Sequence, residues 1–384
     1  MALHFSREEF DERKQRVLTA MAECKLDALL VFAPESMYWL TGYDTFGFCF
    51  FQCLVLTADG RFILVTRLPD LRQARHTSLV EDIRIWTDRG GGDPLKPLKE
   101  ILFELDLLGA RIGVETDTQG LTAKYGRMLD ESLANFAKTI VEASDLIPAL
   151  RTVKSPAELD VVRKAARLAE AAWHAGLAEI APGADEGRIL AAMQGAVFEG
   201  GGDYPANEFV IGSGRDALLC RYKSGRRKLD AEDQLTLEFA GVYRHYHVAM
   251  METVVIGTPT PRHRELFGVV NEALVAVVGV MRPGSSFGDV FDAHARVIDT
   301  YGLHDHRLNA CGYSLGARFS PSWMDPPMFY RDKDAAIVPD MVLFAHVILM
   351  DSETGTAMTR GRTFLTTAAE PEPLLDVADD MVVR

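Results

Sequence analysis

The chain has 384 residues, enough for two domains that each bury a hydrophobic core. Its composition, 48% hydrophobic and 25% charged, is typical of globular proteins, and its net charge of −14 argues against nucleic acid and anionic membranes as partners. The polar N-terminus, the lack of a long apolar window and five cysteines without metal-ligand spacing predict a cytoplasmic protein with no membrane span.

Helix and strand patterns alternate along the first part of the chain. Ser6 and Glu9 form a capping-box pattern before helix-spaced apolar residues that run to about Cys24. Short apolar segments with strand character follow at residues 28–32, 53–57, 62–65, 112–114 and 140–141. Helical patterns lie near residues 95–108 and 122–133. This alternation predicts an α/β domain over residues 1–152.

A new helix start marks a second domain, which we expect to span residues 153–384. Ser155 and Glu158 form a capping box around Pro156, and proline is favoured at the first helical position. Two helices joined by Pro-Gly occur here and again at residues 269–300, each pair followed by strand-like segments. The repeat predicts two related halves that face each other across a cleft, the alternative being a chance similarity of two helical hairpins.

Four segments, in chain order, resemble the creatinase, prolidase and aminopeptidase P family. They are residues 38–42, 155–158, 235–257 and 282–290. The third, LTLEFAGVYRHYHVAMMETVVIG, resembles the central hairpin of the family's pita-bread fold. The resemblance implies an α/β creatinase-type N-terminal domain, an α+β pita-bread C-terminal domain with a pseudo-twofold repeat, and assembly as a homodimer.

The family's metal site is altered at every position. Metal-dependent members hold two ions with two Asp, one His and two Glu. The corresponding positions here hold Glu238, Ala249, Tyr313, His346 and Gly361. One carboxylate and one imidazole cannot replace a site that needs about five or six ligand bonds per ion. We therefore expect no metal ion and no other cofactor.

Within this family the sequence resembles the metal-free branch. The position of creatinase's catalytic His holds Arg221, which excludes a creatinase mechanism that uses that residue. Segments at residues 201–206, 238–247 and 312–316 are similar to those of ectoine hydrolases, which open a cyclic amidine that carries a carboxylate. The resemblance implies a small zwitterionic or anionic nitrogenous substrate.

Four residues are candidates for catalysis. Glu238 is expected to act as a nucleophile or general base, the alternative being an ion pair with a nearby arginine. His247 or His346 would move a proton to the leaving nitrogen, unless they are hydrogen-bonded core histidines. Tyr313 would donate a hydrogen bond to a developing oxyanion or to a substrate carboxylate.

Six further residues are candidates for substrate binding. They are Arg221, Arg362, Glu252, Tyr204, Phe48 and Phe50. The two arginines offer the forked geometry that suits a carboxylate. Glu252 is either a second acid or base or the partner of an arginine. Phe48 and Phe50 belong to an aromatic cluster that either packs in the core or, as the resemblance implies, caps the substrate across a dimer interface.

These residues together predict metal-independent hydrolysis of a C–N bond in a small amidine, guanidine or cyclic amide that carries a carboxylate. Two alternatives stay open. One is an Xaa-Pro peptidase with unusual metal ligands. The other is a small-molecule-binding protein that has kept the fold without its chemistry.

Overall fold

The computed structural model describes residues 3–221 and 227–384. Contacts between residues divide the chain into two compact units, residues 1–151 and 152–384. The sequence places the domain boundary between residues 152 and 153. No helix among the described residues is long and apolar enough to cross a membrane.

The N-terminal unit is built around one mixed β-sheet. Its strands are β1 (Ala28–Val31), β2 (Cys53–Thr57), β3 (Phe62–Arg67), β4 (Asp82–Trp86), β5 (Arg111–Val114) and β6 (Thr139–Glu142), in the order β4-β3-β2-β1-β5-β6. Its helices are α1 (Arg7–Glu23), α2 (Pro34–Thr41), α3 (Leu71–Thr77), α4 (Leu95–Glu104), α5 (Ala123–Leu133) and α6 (Leu146–Thr152). Leu30 and Leu29 belong to separate hydrophobic clusters, because both faces of the sheet are covered. Burial on both faces explains why β1 and β2 are continuous apolar runs.

The C-terminal unit combines four long helices with a larger sheet. The helices are α7 (Pro156–Glu179), α8 (Glu186–Glu199), α9 (Pro261–Val280) and α10 (Phe287–Thr300). The strands are β7 (Val210–Ser213), β8 (Asp233–Tyr243), β9 (Tyr246–Ile256), β10 (Gly312–Ser314), β11 (Asp325–Met328), β12 (Val342–Asp351), β13 (Thr356–Leu365) and β14 (Glu372–Pro373).

The order of these strands confirms the predicted repeat. The sheet runs β11-β10-β12-β13-β9-β8-β7, with β14 paired to β13. In the first half, α7 and α8 precede the short strand β7 and the hairpin of β8 and β9. In the second half, α9 and α10 precede β10 and the hairpin of β12 and β13. β9 and β13 pair at the centre, so that the two hairpins lie side by side.

The helices cover one face of this sheet. α7 packs on β8 and β9, and α9 packs on β12 and β13. Local sequence sets where both helices begin, since Ser155 and Thr260 each form a capping box followed by proline. Arg244 and His245 join β8 to β9 with φ of 50° and 65°, the conformation of a two-residue turn that matches the strand twist.

Candidate active site

The register of the central strands places the altered metal-site positions on one face of the sheet. Glu238 lies opposite Met251, Met251 lies opposite Gly361, and Gly361 lies opposite His346. Directly opposed residues in antiparallel strands have side chains on the same face. Tyr313 and Ala249 belong to this face too, since Tyr313 lies opposite Phe344 and Ala249 lies two residues from Met251.

Glu238 lines a cavity of about 200 Å³ on this face. Asn207, Arg221, Tyr313 and Trp323 line it as well. The Tyr313 hydroxyl donates a hydrogen bond to Oε1 of Glu238 at 3.1 Å and accepts one from Nε1 of Trp323 at 2.9 Å. Both hydrogen-bonding functions of the hydroxyl are therefore engaged, and they hold the carboxyl in one orientation.

The surroundings of Glu238 suit it for proton transfer near neutral pH. Loss of hydration raises the pKa of Glu238 to about 7, although the Tyr313 hydrogen bond and the charge of Arg221 both oppose the rise. Burial also raises the pKa of Tyr313 well above its usual value, so its hydroxyl keeps its proton and remains a donor to Glu238. Strongly shifted carboxyl groups in cavities are typical of catalytic acids and bases.

Arg221 is exposed and borders the cavity. Its charge acts on Glu238, Tyr313 and His346, and lowers the pKa of Glu238. The guanidinium is thus placed where it can meet the anionic end of a ligand while Tyr313 holds the carboxyl of Glu238. Of the arginines predicted as alternative ion-pair partners of Glu238 (Arg221, Arg244 and Arg362), Arg362 is excluded because it lies on the other face of the sheet and binds Glu252. A pairing with Arg221 stays a prediction.

Glu252 and Arg362 do not belong to the cavity, which corrects their predicted role in binding substrate. Glu252 lies opposite Leu237 and Arg360, so it projects to the helix-covered face. There Nη2 of Arg362 contacts Oε2 of Glu252 at 2.5 Å, and Nε of Arg360 lies 3.9 Å from the same oxygen. Arg360 also donates to Oδ1 of Asn271, which lies on α9. Nη2 of Arg360 also lies 2.8 Å from Oδ1 of Asp379, so the buried Glu252 and the two arginines belong to one ion-pair network on this face.

His247 lies behind the cavity wall. It is fully buried, and its Nε2 accepts a hydrogen bond from the backbone amide of Ala206 at 2.9 Å. Burial lowers the pKa of His247 to about 3, so the ring is neutral. His247 is not among the described residues that line this cavity, and its role as a proton shuttle stays a prediction.

His346 is also set back from the cavity. Its ring packs edge-on against Tyr313, with centroids 5.9 Å apart, and against Phe344 at 5.5 Å. Burial lowers the pKa of His346 to about 4. The imidazole packs against the ring of Tyr313 and is not among the residues that line this cavity, and its role as a proton shuttle stays a prediction.

The remaining binding candidates lie elsewhere. Tyr204 is 81% exposed and packs against Phe198, outside the lining of this cavity, so its role in binding substrate stays a prediction. Phe48 and Phe50 lie in the N-terminal unit. Phe48 is half-buried, and the guanidinium of Arg67 lies 3.4 Å from the ring centroid of Phe50. Their role at a dimer interface stays a prediction.

Two residues of the cavity were not assigned a role from sequence. Trp323 is nearly fully buried and holds Tyr313, and its backbone amide donates to Oδ1 of Asn207 at 3.0 Å. Trp323 lies nine residues beyond Ser314 in the chain, and its contact with Tyr313 appears only in the folded structure. Asn207 comes directly after residues 201–206, the segment that is similar to ectoine hydrolases. Its contact with Trp323, which is 116 residues away in the chain, forms only on folding.

The residues present do not fit a two-metal centre. Ala249 and Gly361 offer no donor, and among the described residues no three His, Cys, Asp or Glu are grouped so as to hold an ion. The space at Gly361 is also filled, because a Cβ there would lie 2.6 Å from Cζ of Phe344 and 2.9 Å from Cβ of Met251. An aromatic ring thus occupies the volume where a ligand carboxylate would begin.

The fold and this face of the sheet define the class of protein. Residues 160–368, more than half of the chain, match metallopeptidase family M24, and residues 13–153 match the creatinase/prolidase N-terminal domain. The chain belongs to this family of hydrolases and has its pita-bread fold, which confirms the predicted fold class.

Individual relatives are similar over most or all of the chain. The chain is 28% identical over 404 residues to ectoine hydrolase from Halomonas elongata, covering 100% of this chain and 99% of that protein. It is 22% identical over 305 residues to the Xaa-Pro dipeptidase of Pyrococcus furiosus, covering 79% of this chain and 82% of the relative. The crystal structure of a prolidase from Thermococcus sibiricus superposes with a TM-score of 0.87 at 17% identity, covering 98% and 99% of the two chains.

Proposed function

We propose that this protein hydrolyses a C–N bond in a small amidine, guanidine or cyclic amide that carries a carboxylate, and that it does so without a metal ion. The observation that carries the proposal is Glu238, a carboxyl with a pKa of about 7 in a cavity bordered by Arg221. The full-length similarity to a protein named ectoine hydrolase supports a small nitrogenous substrate rather than a peptide.

Glu238 supplies the proton transfers of the proposed reaction. Its carboxylate takes a proton from water while the water oxygen bonds to the electrophilic carbon, and the electron pair of the C=N bond moves onto nitrogen, which receives that proton. The same carboxylate then moves the hydroxyl proton of the tetrahedral adduct to the leaving nitrogen. The C–N bond breaks, a C=O bond forms and the carboxylate is regenerated. A group with a pKa near the working pH serves in both directions.

Arg221 and Tyr313 have separate roles in this proposal. Arg221 holds the substrate carboxylate, because its planar fork matches two carboxylate oxygens. Tyr313 orients Glu238 and lowers its proton affinity, since its hydroxyl proton is already directed at Oε1. We assign it this role in place of oxyanion binding, which would require the hydroxyl to release Glu238.

The size of the cavity supports a small substrate. Its volume of about 200 Å³ lies below the range of about 300–1,000 Å³ that is common for sites of drug-sized ligands. A single-ring or short-chain compound fits this space better than the extended backbone of a peptide. The missing metal donors at Ala249 and Gly361 favour the same choice, because a metal-dependent peptidase needs them.

The test combines turnover with metal analysis. Chelator-treated protein of measured metal content is incubated with ectoine, creatine, a carboxylated cyclic amide and an Xaa-Pro dipeptide, and products are followed by mass spectrometry. We expect one of the first three to be consumed, Glu238→Gln to abolish turnover, and the exposed control Glu199→Gln to leave it unchanged. Cleavage of the dipeptide alone, and only after metal is added, would instead identify a peptidase.

A binding role without catalysis is distinguished in the same experiment. A compound that raises the melting temperature but is never consumed would support a binding protein and contradict the proposal. The homodimer, in which Phe48 and Phe50 would cap a substrate, is a further part of the proposal. Light scattering of the purified protein tests it, and a monomer at working concentration would remove that part alone.

A further inference from the structure

The protonation of His247 is set by its hydrogen bond. Nε2 accepts from the amide of Ala206 at 2.9 Å, so this nitrogen carries no proton. Its other nitrogen, Nδ1, then carries the proton of the neutral ring, and it is buried without a hydrogen-bond partner among the described residues. With no exposed surface, this imidazole is held through Nε2 by the Ala206 segment.

A continuous series of contacts leads from His247 to Glu238. Ala206 is followed by Asn207, whose Oδ1 accepts from the amide of Trp323 at 3.0 Å. Nε1 of Trp323 donates to the hydroxyl of Tyr313 at 2.9 Å. That hydroxyl donates to Oε1 of Glu238 at 3.1 Å. The rings of His247 and Trp323 also lie near each other, with centroids 6.2 Å apart.

We infer that His247 is a positioning residue: its Nε2 holds the Ala206–Asn207 segment, which fixes Trp323 and Tyr313 and thereby the orientation of Glu238. Side chains that orient a reacting group need to be locked by partners of their own. The residue acts as a hydrogen-bond acceptor, and proton transfer is not part of its role. The inference deepens the proposed function, yet its structural part is testable without any substrate.

Two substitutions separate an acceptor from a proton shuttle. In His247→Gln the side-chain carbonyl oxygen takes the place of Nε2 and accepts from Ala206. In His247→Met a side chain of similar length offers only a thioether sulfur, which is a weak acceptor. A positioning role therefore predicts that Gln preserves the arrangement and that Met disrupts it, whereas a proton shuttle is lost in both variants.

The structural readout is the environment of Trp323. Protein labelled with 5-fluorotryptophan gives one ¹⁹F resonance for each of its four tryptophans, and Trp323→Phe assigns the relevant one. We expect the Trp323 resonance to move in His247→Met and to stay close to the parent position in His247→Gln. The other three resonances should not move. An unchanged Trp323 resonance in His247→Met would overturn the inference.

A second variant covers the case in which His247→Met does not fold. Asn207→Ala removes the acceptor of the Trp323 amide at a half-buried position and should move the same resonance. If the Trp323 resonance does not move in Asn207→Ala, the Ala206–Asn207 segment does not determine the position of Trp323, and the inference fails.

Turnover adds an independent readout once a substrate is found. His247→Gln should keep kcat near that of the parent. Loss of a general acid or base costs about 10²–10⁴-fold, so an equal loss of that size in both His247 variants would identify a shuttle. Because the ¹⁹F experiment needs no substrate, failure of the proposed hydrolase activity and failure of the positioning role are told apart.

Discussion

The buried ion pair of Glu252 and Arg362 makes a quantitative prediction about stability. Arg362→Met keeps the length of the side chain and removes its charge, which leaves Glu252 with Arg360 as its nearest cation, 3.9 Å away. Removing one partner of a buried pair costs about 3–5 kcal/mol, because the other charge stays buried without compensation. Since Arg360 still offsets part of the charge, we expect a loss near the lower end, about 3 kcal/mol.

A double variant and a surface pair serve as controls. Glu252→Met combined with Arg362→Met should recover most of the lost stability, because no unpaired carboxylate remains. Arg163 and Glu372 form an ion pair in which both side chains are over 40% exposed, and Arg163→Met should cost less than about 1 kcal/mol. The free energies are measured by urea unfolding followed by circular dichroism. If Arg362→Met is as stable as the parent but binds substrate more weakly, Arg362 contacts substrate and does not serve as the structural partner of Glu252.

Three further predictions concern the cavity face. The pKa of Glu238 is about 7 in the folded chain against an ordinary value of 4.5, so its ionisation destabilises the fold as pH rises through this range. In urea titrations, Glu238→Gln should therefore be more stable than the parent by about 1–3 kcal/mol at about pH 8. Near pH 4.5 the variant and the parent should be equally stable. No gain at the higher pH would contradict the shift. Phe344→Ala empties a fully buried site and should cost about 3–5 kcal/mol in the same assay, with a loss below 1 kcal/mol arguing against the packing described. Arg221→Ala should raise KM about ten- to hundred-fold with little change in kcat, since it removes a charge-assisted bond; a loss confined to kcat would place Arg221 in the chemistry.

Sequence predicted the framework of the site well. The capping box at Ser155 and the repeat of helical pairs follow from local patterns, and the positions that replace the metal ligands follow from the resemblance to the family. The confirmed fold class then brings Glu238, Tyr313 and His346 to one face. Caps and short motifs depend on residue types at short spacings, which a sequence displays directly.

The local pattern could have corrected one assignment, that of Glu252, whereas the placement of Arg362 and His247 depends on pairings between distant parts of the chain. Glu252 differs from Ala249 by three residues, an odd number, so strand alternation alone places it on the opposite face. Arg362 is buried against it only because β13 pairs with β9, more than a hundred residues earlier. His247 has the parity of the site face, and yet the Ala206 segment folds over it. Whether a segment from elsewhere in the chain covers a side chain depends on tertiary packing, which no local pattern encodes.

The ring of Phe344 beside Gly361 restricts how this chain can change. Any side chain added at position 361 collides with the ring, and a smaller residue at position 344 leaves a void, so each single substitution lowers stability. A carboxylate at position 361 fits only if a smaller side chain replaces Phe344 at the same time. Whichever of the two substitutions is made first lowers stability. Positions 344 and 361 are therefore coupled: a new side chain at position 361 is accommodated only by a simultaneous change at position 344.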